Sequence, residues 1–345
     1  MTFQEFLETL RNDETRRTYK SNIMLVTGDA DALLGLEQKA IEEKVISWIV
    51  KNRNKKSSAY INTCVLAVKS FLEYHEKFLN WRRIRLAMPA ARKYAADRPP
   101  TREEIARLLQ IASLRLRVPI LFMASSGIRI GAFGYLRVSD LEKLPSGIGK
   151  LTVYRGEPEQ YFTFVSREAM AAYEAYIEQR RNAGENVAEK SPLIRDAWCN
   201  EIGRRYMLKT KEEARMINPK SLANRIEKLW VNAGIIQRGG EERKRHEFQR
   251  VHGFRKFFRS NAVRGMRSED VEVLLGHKSS YYKPNEEYLE NEYLKAEPYL
   301  FIDEALTLKS RGIVLPDEIQ KMRSEIEELK RKLVWVAEHG IKSEP

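Results

Sequence analysis

The chain has little cysteine and no long apolar segment, and both absences exclude whole classes of protein. Only Cys64 and Cys199 occur among its 345 residues, and their separation is far larger than the spacing of zinc ligands. We expect two buried thiols in a reducing compartment, with neither a disulfide framework nor a metal site. No apolar run is as long as a membrane span, and the N-terminus carries no signal-peptide pattern. The sequence therefore predicts a cytoplasmic protein without a membrane partner.

Acidic residues are too few to balance the basic ones. Lysine and arginine together number 61, and aspartate and glutamate number 48, which gives a formal net charge of +13. A chain this basic usually binds a polyanion, although a generic solvated basic surface has the same composition. Hydrophobic residues make up 43% of the chain, an ordinary fraction for a folded protein, and the length is sufficient for two domains. A two-domain protein that binds nucleic acid fits these numbers.

The first part of the chain is predicted to be a helical domain over residues 1–88. Helical periodicity follows Asp13 and again follows Ser57. The basic run at 51–56, between these two segments, is either a phosphate contact or a solvated loop. Residues 89–100 contain prolines that prevent a continuous helix, with basic residues between them, so they are predicted to be a linker along DNA.

A second domain is predicted over residues 101–312. Thr101 and Glu104 have the spacing of a capping box, which marks the first helix of this domain. Strand-like alternation at 150–156 and 160–165, with a turn between the two runs, gives the one clear β-hairpin. The expected fold is therefore mainly α-helical with a small antiparallel β-sheet.

The last segment, residues 313–345, is predicted to contain a helix with an apolar stripe. Its apolar residues alternate at intervals of three and four, as in a heptad seam: Ile319, Met322, Ile326, Leu329, Leu333 and Val336. Val334 and Trp335 widen the stripe. The helix either docks on its own domain or mediates oligomerisation, and we favour a subunit contact.

Four short motifs follow one another in the second domain and carry the candidate chemistry. They are Ser126-Gly127-Ile128-Arg129-Ile130-Gly131, His252-Gly253-Phe254-Arg255, Leu274-Leu275-Gly276-His277 and Tyr281-Tyr282-Lys283-Pro284. Two arginines suit a phosphate, because each guanidinium is a planar, permanently charged fork. A tyrosine phenol can attack phosphorus, but its pKa of about 10 means that forming the phenolate at neutral pH costs roughly 4 kcal/mol unless a neighbour takes the proton.

The ordered set of motifs resembles the tyrosine recombinases, the integrase family that cuts and rejoins DNA. It is most similar to archaeal integrases, in which a Tyr-Tyr-basic-Pro run occurs near the nucleophile. The resemblance covers roughly residues 98–300. It implies a helical core-binding domain and a tyrosine-recombinase catalytic domain that clamp double-stranded DNA at an attachment site. It also implies a tetramer on DNA and site-specific strand exchange through a 3′-phosphotyrosyl intermediate, without a metal or another cofactor.

The resemblance also gives each motif residue an expected role. Arg129 and Arg255 are expected to clamp the phosphate, and His252 is expected to accept the proton of the nucleophile. His277 is expected to donate a further hydrogen bond to the phosphate, and Tyr282 is expected to be the nucleophile. Tyr281 is the second candidate for the nucleophile. We expect Arg129 beside a tight turn at Gly127, near the start of the next helix, where backbone amides also favour phosphate.

The sequence departs from the family's pattern in three places. The position three residues after the first arginine, which is acidic in many members, is Ala132. The hairpin tip lacks the family's lysine, so Lys150 is the first candidate for the general acid that protonates the leaving 5′ oxygen, and Arg155 is the second. The short interval from His277 to Tyr282 fits either a trimmed loop or delivery of the tyrosine to a neighbouring subunit. These departures keep a catalytically silent DNA-binding protein open as an alternative, beside a type IB topoisomerase that would use the same chemistry to relax supercoils.

Overall fold

A computed structural model describes residues 2–90, 98–196, 214–236, 250–277, 282, 284–303 and 317–339, and places the side chains in these ranges except at 317–320 and 335–339. The chain divides into two compact units, residues 1–94 and residues 95–345. Cys199, Tyr281 and Lys283 lie outside the described residues. Within the described ranges, no helix combines the length and the apolar composition needed to cross a bilayer.

The first unit is built from helices. They are α1 (Phe3–Thr9), α2 (Asp13–Thr27), α3 (Ala30–Leu34), α4 (Gln38–Asn52), α5 (Ser58–Tyr74) and α6 (Trp81–Ala87). The side chains of Asn12 and Ser57 accept backbone amide hydrogen bonds at the starts of α2 and α5, so both helices begin where the sequence predicts. These two helices pack against each other around a core that includes Val68 and Phe71. Cys64 is fully buried there, as expected, and its burial raises the pKa of the thiol.

The second unit contains further helices around a small sheet. Its elements are α7 (Arg102–Ile111), α8 (Leu114–Ser126), β1 (Leu141–Lys143), β2 (Gly149–Val153), β3 (Tyr161–Val165), α9 (Arg167–Asn182), α10 (Pro219–Asn232), α11 (His252–Ala262), α12 (Ser268–Leu274), α13 (Glu286–Ala296) and α14 (Asp317–His339). The predicted capping box is present at α7. The Thr101 hydroxyl accepts a hydrogen bond from the backbone amide of Glu104, and the Glu104 carboxylate accepts one from the backbone amide of Thr101.

The strands form one antiparallel sheet in the order β1-β2-β3, so the predicted fold class is confirmed. The register places Lys150 opposite Phe164 and Val153 opposite Tyr161. Because side chains alternate between the two faces of a sheet, Lys150 and Tyr161 lie on opposite faces. Leu151 and Val153 enter one apolar cluster, whereas Phe164 enters another together with residues of α11, α12 and α13. The sheet is therefore covered on both faces by helices.

The structure refines one local prediction and corrects another. The helix predicted to start near Arg129 is a short 3-10 helix, Ile130–Gly134, and Arg129 is its N-cap residue. Glycines at 131 and 134 disfavour a longer helix, because glycine loses the most backbone freedom on becoming helical. The first hairpin strand ends at Val153 instead of residue 156, since Tyr154 has a left-handed φ of 56° that turns the chain out of the ladder.

Candidate active site

A glycine turn brings the first arginine to the surface. α8 ends at Ser126, and Gly127 caps it with a φ of 66°, its amide donating to the Met123 carbonyl over 2.9 Å. A Cβ atom on Gly127 would lie 2.5 Å from a side-chain carbon of Leu275 and 2.6 Å from one of Phe258. Both the backbone conformation and the packing therefore require glycine. The chain emerges from this turn with Arg129 exposed to solvent.

Replacement of Gly127 by alanine should lower the free energy of unfolding by roughly 2–5 kcal/mol, the sum of a left-handed backbone and an overpacked core. Gly156→Ala is the matched control, because Gly156 has a φ of 83° but nothing within 4 Å of its Cβ position. It should lose only the conformational part, about 1–2 kcal/mol. Urea unfolding of both variants measures the difference. Equal losses would mean that the contacts with Leu275 and Phe258 relax without cost.

Arg255 connects the glycine turn to the end of α12. Its side chain is buried, with a relative exposure of 6% for the residue. Nη1 donates to the Gly127 carbonyl and Nη2 donates to the Leu275 carbonyl, each over 2.6 Å. Burial lowers the pKa of Arg255, and the nearby charge of Arg129 lowers it further. The two guanidiniums therefore lie close enough to repel each other, and an anion between them would relieve that repulsion.

His277 joins this pair from the end of α12. Gly276 has a φ of 73° and lets the chain reverse, so that the His277 amide donates to the Glu272 carbonyl over 3.0 Å. The ring nitrogen Nδ1 contacts the Glu272 carboxylate, and Nε2 lies 3.0 Å from Arg255 Nη2. Burial acts to raise the pKa of Glu272, but hydrogen bonds from His277 and Arg259 outweigh it and leave the pKa below its usual value. Glu272 is thus an ionised partner that orients the imidazole ring.

His252 is the first residue of α11 and is exposed, whereas Arg255 points into the protein one turn later. Residues three apart on a helix are neighbours on its surface. His252 therefore lies on the same side of α11 as Arg255, at the solvent-exposed start of the helix. We call Arg129, Arg255, His277 and His252 the arginine–histidine cluster.

Tyr161 from the hairpin completes the inner wall of the cluster. Its hydroxyl is buried and makes no hydrogen bond of ordinary geometry in the described part of the chain. Burial raises the pKa of Tyr161, while the neighbouring charge of Arg255 opposes this rise. The ring packs against the backbone at Gly276, where a Cβ atom would lie 2.7 Å from it. Tyr154 stands next to it, with ring centroids 6.4 Å apart.

The two candidates for the general acid have carboxylate partners. Lys150 Nζ lies 2.5 Å from Glu286 Oε1 and 5.6 Å from the centre of the Phe162 ring. Arg155 Nε donates to Asp140 Oδ1 over 2.5 Å. Lys150 is also on the sheet face opposite to Tyr161, so the described contacts of the two basic side chains are not with the arginine–histidine cluster.

Tyr282 is bound to a buried carboxylate on α12. Its hydroxyl donates to Asp270 Oδ1 over 2.6 Å, and Tyr288 donates to the other oxygen over 3.2 Å. Asp270 is fully buried, and the guanidinium carbon of Arg267 lies 5.6 Å from the centre of the Tyr282 ring. The hydrogen bond to Asp270, together with burial, raises the pKa of Tyr282 well above its ordinary value. The phenol is therefore held protonated, with Asp270 as its hydrogen-bond acceptor.

Comparisons with known proteins support the fold. No family profile and no curated protein sequence matches the chain. Solved structures do match. An integrase of the Tn1549 transposon in complex with transposon right end DNA covers 85% of this chain and 98% of its own, with 12% identity and a TM-score of 0.59. Lambda integrase (residues 75–356) bound to DNA covers 83% and 95%, with 15% identity and a TM-score of 0.54. The XerH recombinase bound to its difH substrate covers 81% and 78%, with 14% identity and a TM-score of 0.52.

The fold is that of the tyrosine recombinases. Within it, the sequence did not identify Glu272, Asp270 or Tyr161 as site residues. Glu272 lies five residues before His277, and a chain reversal at Gly276 brings residues at this spacing together. This spacing was the only sequence signal that could have predicted the contact of Glu272 with His277. Asp270 and Tyr161 meet their partners from other segments, so nothing in their local sequence marks them.

Proposed function

We propose that the protein is a site-specific DNA recombinase that cleaves and rejoins duplex DNA through a 3′-phosphotyrosyl intermediate. The observation that carries this proposal is the convergence of two arginines and a histidine from three separate segments. Arg129 has no carboxylate partner among the described residues, although the neighbouring Arg255 is also cationic. Where two neighbouring guanidiniums have only a structural role, carboxylates neutralise them. In a phosphate-binding site, the bound phosphate neutralises them instead.

The cluster fits the charge that develops during attack on a phosphodiester. Both guanidiniums can donate to nonbridging oxygens, and Arg255 is held in place by two backbone carbonyls. His277 is held by the Glu272 carboxylate at Nδ1, which fixes the orientation of the ring whose Nε2 faces Arg255. Fixed donors of this kind act without reorganisation at the moment of reaction, and they usually supply the largest catalytic contribution.

The chemical step begins at Tyr282. Its phenol oxygen attacks phosphorus, His252 takes the phenolic proton, and the 5′ oxygen of the next nucleotide departs and takes up a proton. Rejoining reverses these events with a different 5′ hydroxyl, so the covalent link conserves the free energy of the bond. Before attack, the Tyr282 hydroxyl must leave the Asp270 carboxylate and move to the arginine–histidine cluster. Delivery within one subunit and delivery to a neighbouring subunit both remain compatible with this requirement.

The partner is a double-stranded attachment site, bound by a core-binding domain (1–88) and a catalytic domain (101–312) that the linker 89–100 joins. This proposal rests on the net charge of +13 and on the DNA-bound state of the structures that share the fold. Lambda integrase has been solved as a tetramer on a Holliday junction, which supports a tetramer as the strand-exchanging assembly. The same proposal implies that the protein is cytoplasmic and associated with DNA.

Trapping the covalent intermediate tests the proposal. The target is first selected from random duplex DNA, and the selected site is then synthesised with a 5′-bridging phosphorothiolate, whose sulfur leaves without a proton and does not rejoin. An adduct that maps to Tyr282 supports the recombinase, and an adduct on another tyrosine keeps the chemistry but reassigns the nucleophile. Tight binding without an adduct would support the catalytically silent alternative. Relaxation of a supercoiled plasmid that lacks the selected site would support the topoisomerase.

The silent alternative is favoured by one specific feature, since Tyr282, Lys150 and Arg155 all have carboxylate partners outside the cluster. The same substrates test the general acid. Lys150→Ala should slow cleavage of the oxygen substrate by about 10²–10⁴-fold and leave cleavage of the sulfur substrate nearly unchanged, because sulfur needs no proton. Arg155→Ala is the comparison. If it alone shows this rescue, the role belongs to Arg155, and if neither variant does, both assignments are wrong.

A further inference from the structure

α14 exposes an apolar stripe along residues 321–334, where its side chains are described. Met322, Ile326, Leu329 and Leu333 are 56%, 49%, 58% and 69% exposed. The helix has 23 residues, and at 1.5 Å per residue it is about 35 Å long. Single apolar residues on a surface are ordinary, but four in a row along one side of a helix form a contact surface.

The spacing of the stripe is that of a two-stranded coiled coil. With Ile319, Ile326 and Leu333 at the a positions, the d positions are Met322, Leu329 and Val336. This order repeats every seven residues, which keeps the seam on one side when two helices supercoil. The first two heptads have isoleucine at a, and a β-branched residue at a with leucine at d, as at Ile326 and Leu329, favours two strands; the third heptad has Leu333 at a and Val336 at d. Val334, although 56% exposed, is at a b position and lies outside the seam.

The charges beside the seam select both the partner and its direction. The g positions of the first two heptads are Glu318 and Glu325, and the following e positions are Arg323 and Lys330. In a parallel pair of identical helices, g of one chain faces the next e of the other, so Glu318 faces Arg323 and Glu325 faces Lys330. An antiparallel pair would set e against e, where both residues are basic. Lys330 also forms an exposed ion pair with Glu327 of its own helix, Nζ to Oε1 3.2 Å, and pairs of this kind contribute little.

We propose that α14 is a dimerisation helix, which forms a parallel two-stranded coiled coil with α14 of a second copy of this chain. A parallel homodimer has a two-fold axis along the coil, so the pair is symmetric. Three heptads bury a short seam, and the dimer is therefore of moderate affinity and strengthens when two copies bind the same DNA. This inference does not depend on the proposed catalysis.

The oligomeric state of the full chain without DNA tests the inference. Sedimentation analysis over a range of micromolar concentrations should show a monomer–dimer equilibrium for the native sequence. Leu329→Glu places two carboxylates against each other in the seam and should weaken the dimer by about 100-fold or more. Val334→Glu is the matched control, because it adds the same charge to an equally exposed position of the same helix, and it should leave the equilibrium unchanged.

The direction of the helices is tested by exchanging charges. Glu325→Lys and Lys330→Glu should each weaken the homodimer by roughly 5- to 30-fold, since each puts like charges at two symmetric contacts. A mixture of the two variants should form a heterodimer at least as strong as the native homodimer, because every g–e contact is again opposite in sign. The inference is overturned if the native chain remains a monomer, if Val334→Glu dissociates it as strongly as Leu329→Glu, or if the mixture does not pair.

Discussion

Replacing Tyr282 with phenylalanine is expected to abolish the covalent protein–DNA adduct and to leave DNA affinity nearly unchanged. Phenylalanine has no oxygen with which to attack phosphorus, and the cluster of Arg129, Arg255 and His277 remains intact to bind the phosphate. The substitution removes one hydrogen bond to Asp270, which retains its bond from Tyr288. The expected loss of stability is therefore only about 1 kcal/mol. Denaturing gel electrophoresis with the phosphorothiolate substrate measures the adduct, and anisotropy measures binding.

Tyr288→Phe is the control for this experiment, because Tyr288 shares the Asp270 carboxylate but is not a candidate nucleophile. It removes the other phenol hydroxyl that donates to Asp270, and it should leave the adduct in place. Persistence of the adduct in Tyr282→Phe would exclude Tyr282 as the nucleophile. Tyr281→Phe would then be the next variant to test, since the neighbouring tyrosine belongs to the same motif.

Replacing Arg129 with alanine should slow strand cleavage by about 10²–10³-fold, the usual cost of losing one donor to a developing oxyanion. Arg129 is exposed, so the melting temperature should not change. Arg129→Lys should restore part of the binding but little of the rate, because an ammonium group cannot make the two parallel hydrogen bonds of a guanidinium. Single-turnover cleavage at saturating protein separates the rate from the affinity.

Arg107→Ala is the matched control for Arg129→Ala, as Arg107 is another exposed arginine, on α7 of the same unit. It removes the same charge and should leave the cleavage rate unchanged. Equal effects of the two substitutions would show that Arg129 contributes only to the general positive potential. A normal rate in Arg129→Ala would remove the arginine from the reaction altogether.

Most of the fold could be predicted because its signals are local. The Thr101 capping box, the helix that starts at His252 and the reversal at Gly276 each depend on residues within one or two helical turns of one another. The hairpin followed from alternation along two strands. The error in the strand boundary was also local, because the left-handed φ of Tyr154 ends the first strand earlier than predicted.

The site could be predicted only in part, because its second layer is assembled from distant segments. Arg255 is fixed by the carbonyl of Gly127, which lies more than a hundred residues earlier in the chain. The face on which Lys150 lies depends on strand register, and a shift of one residue would reverse it. The carboxylate that accepts the Tyr282 hydroxyl belongs to a helix whose sequence gives no sign of that contact. Motif order therefore predicted candidate reacting groups but not the partners that hold them.

The two arginines of the cluster should have different evolutionary fates. Arg255 donates to the last turns of α8 and α12, so its loss would leave two buried carbonyls without partners, at a cost of roughly 1–3 kcal/mol for each group. Arg129 performs no such task in the described structure. A lineage that abandoned catalysis but kept the fold would retain Arg255 and lose Arg129 first. Among sequences of this type, the exposed arginine is thus the better marker of an active enzyme, whereas the buried one marks only the architecture.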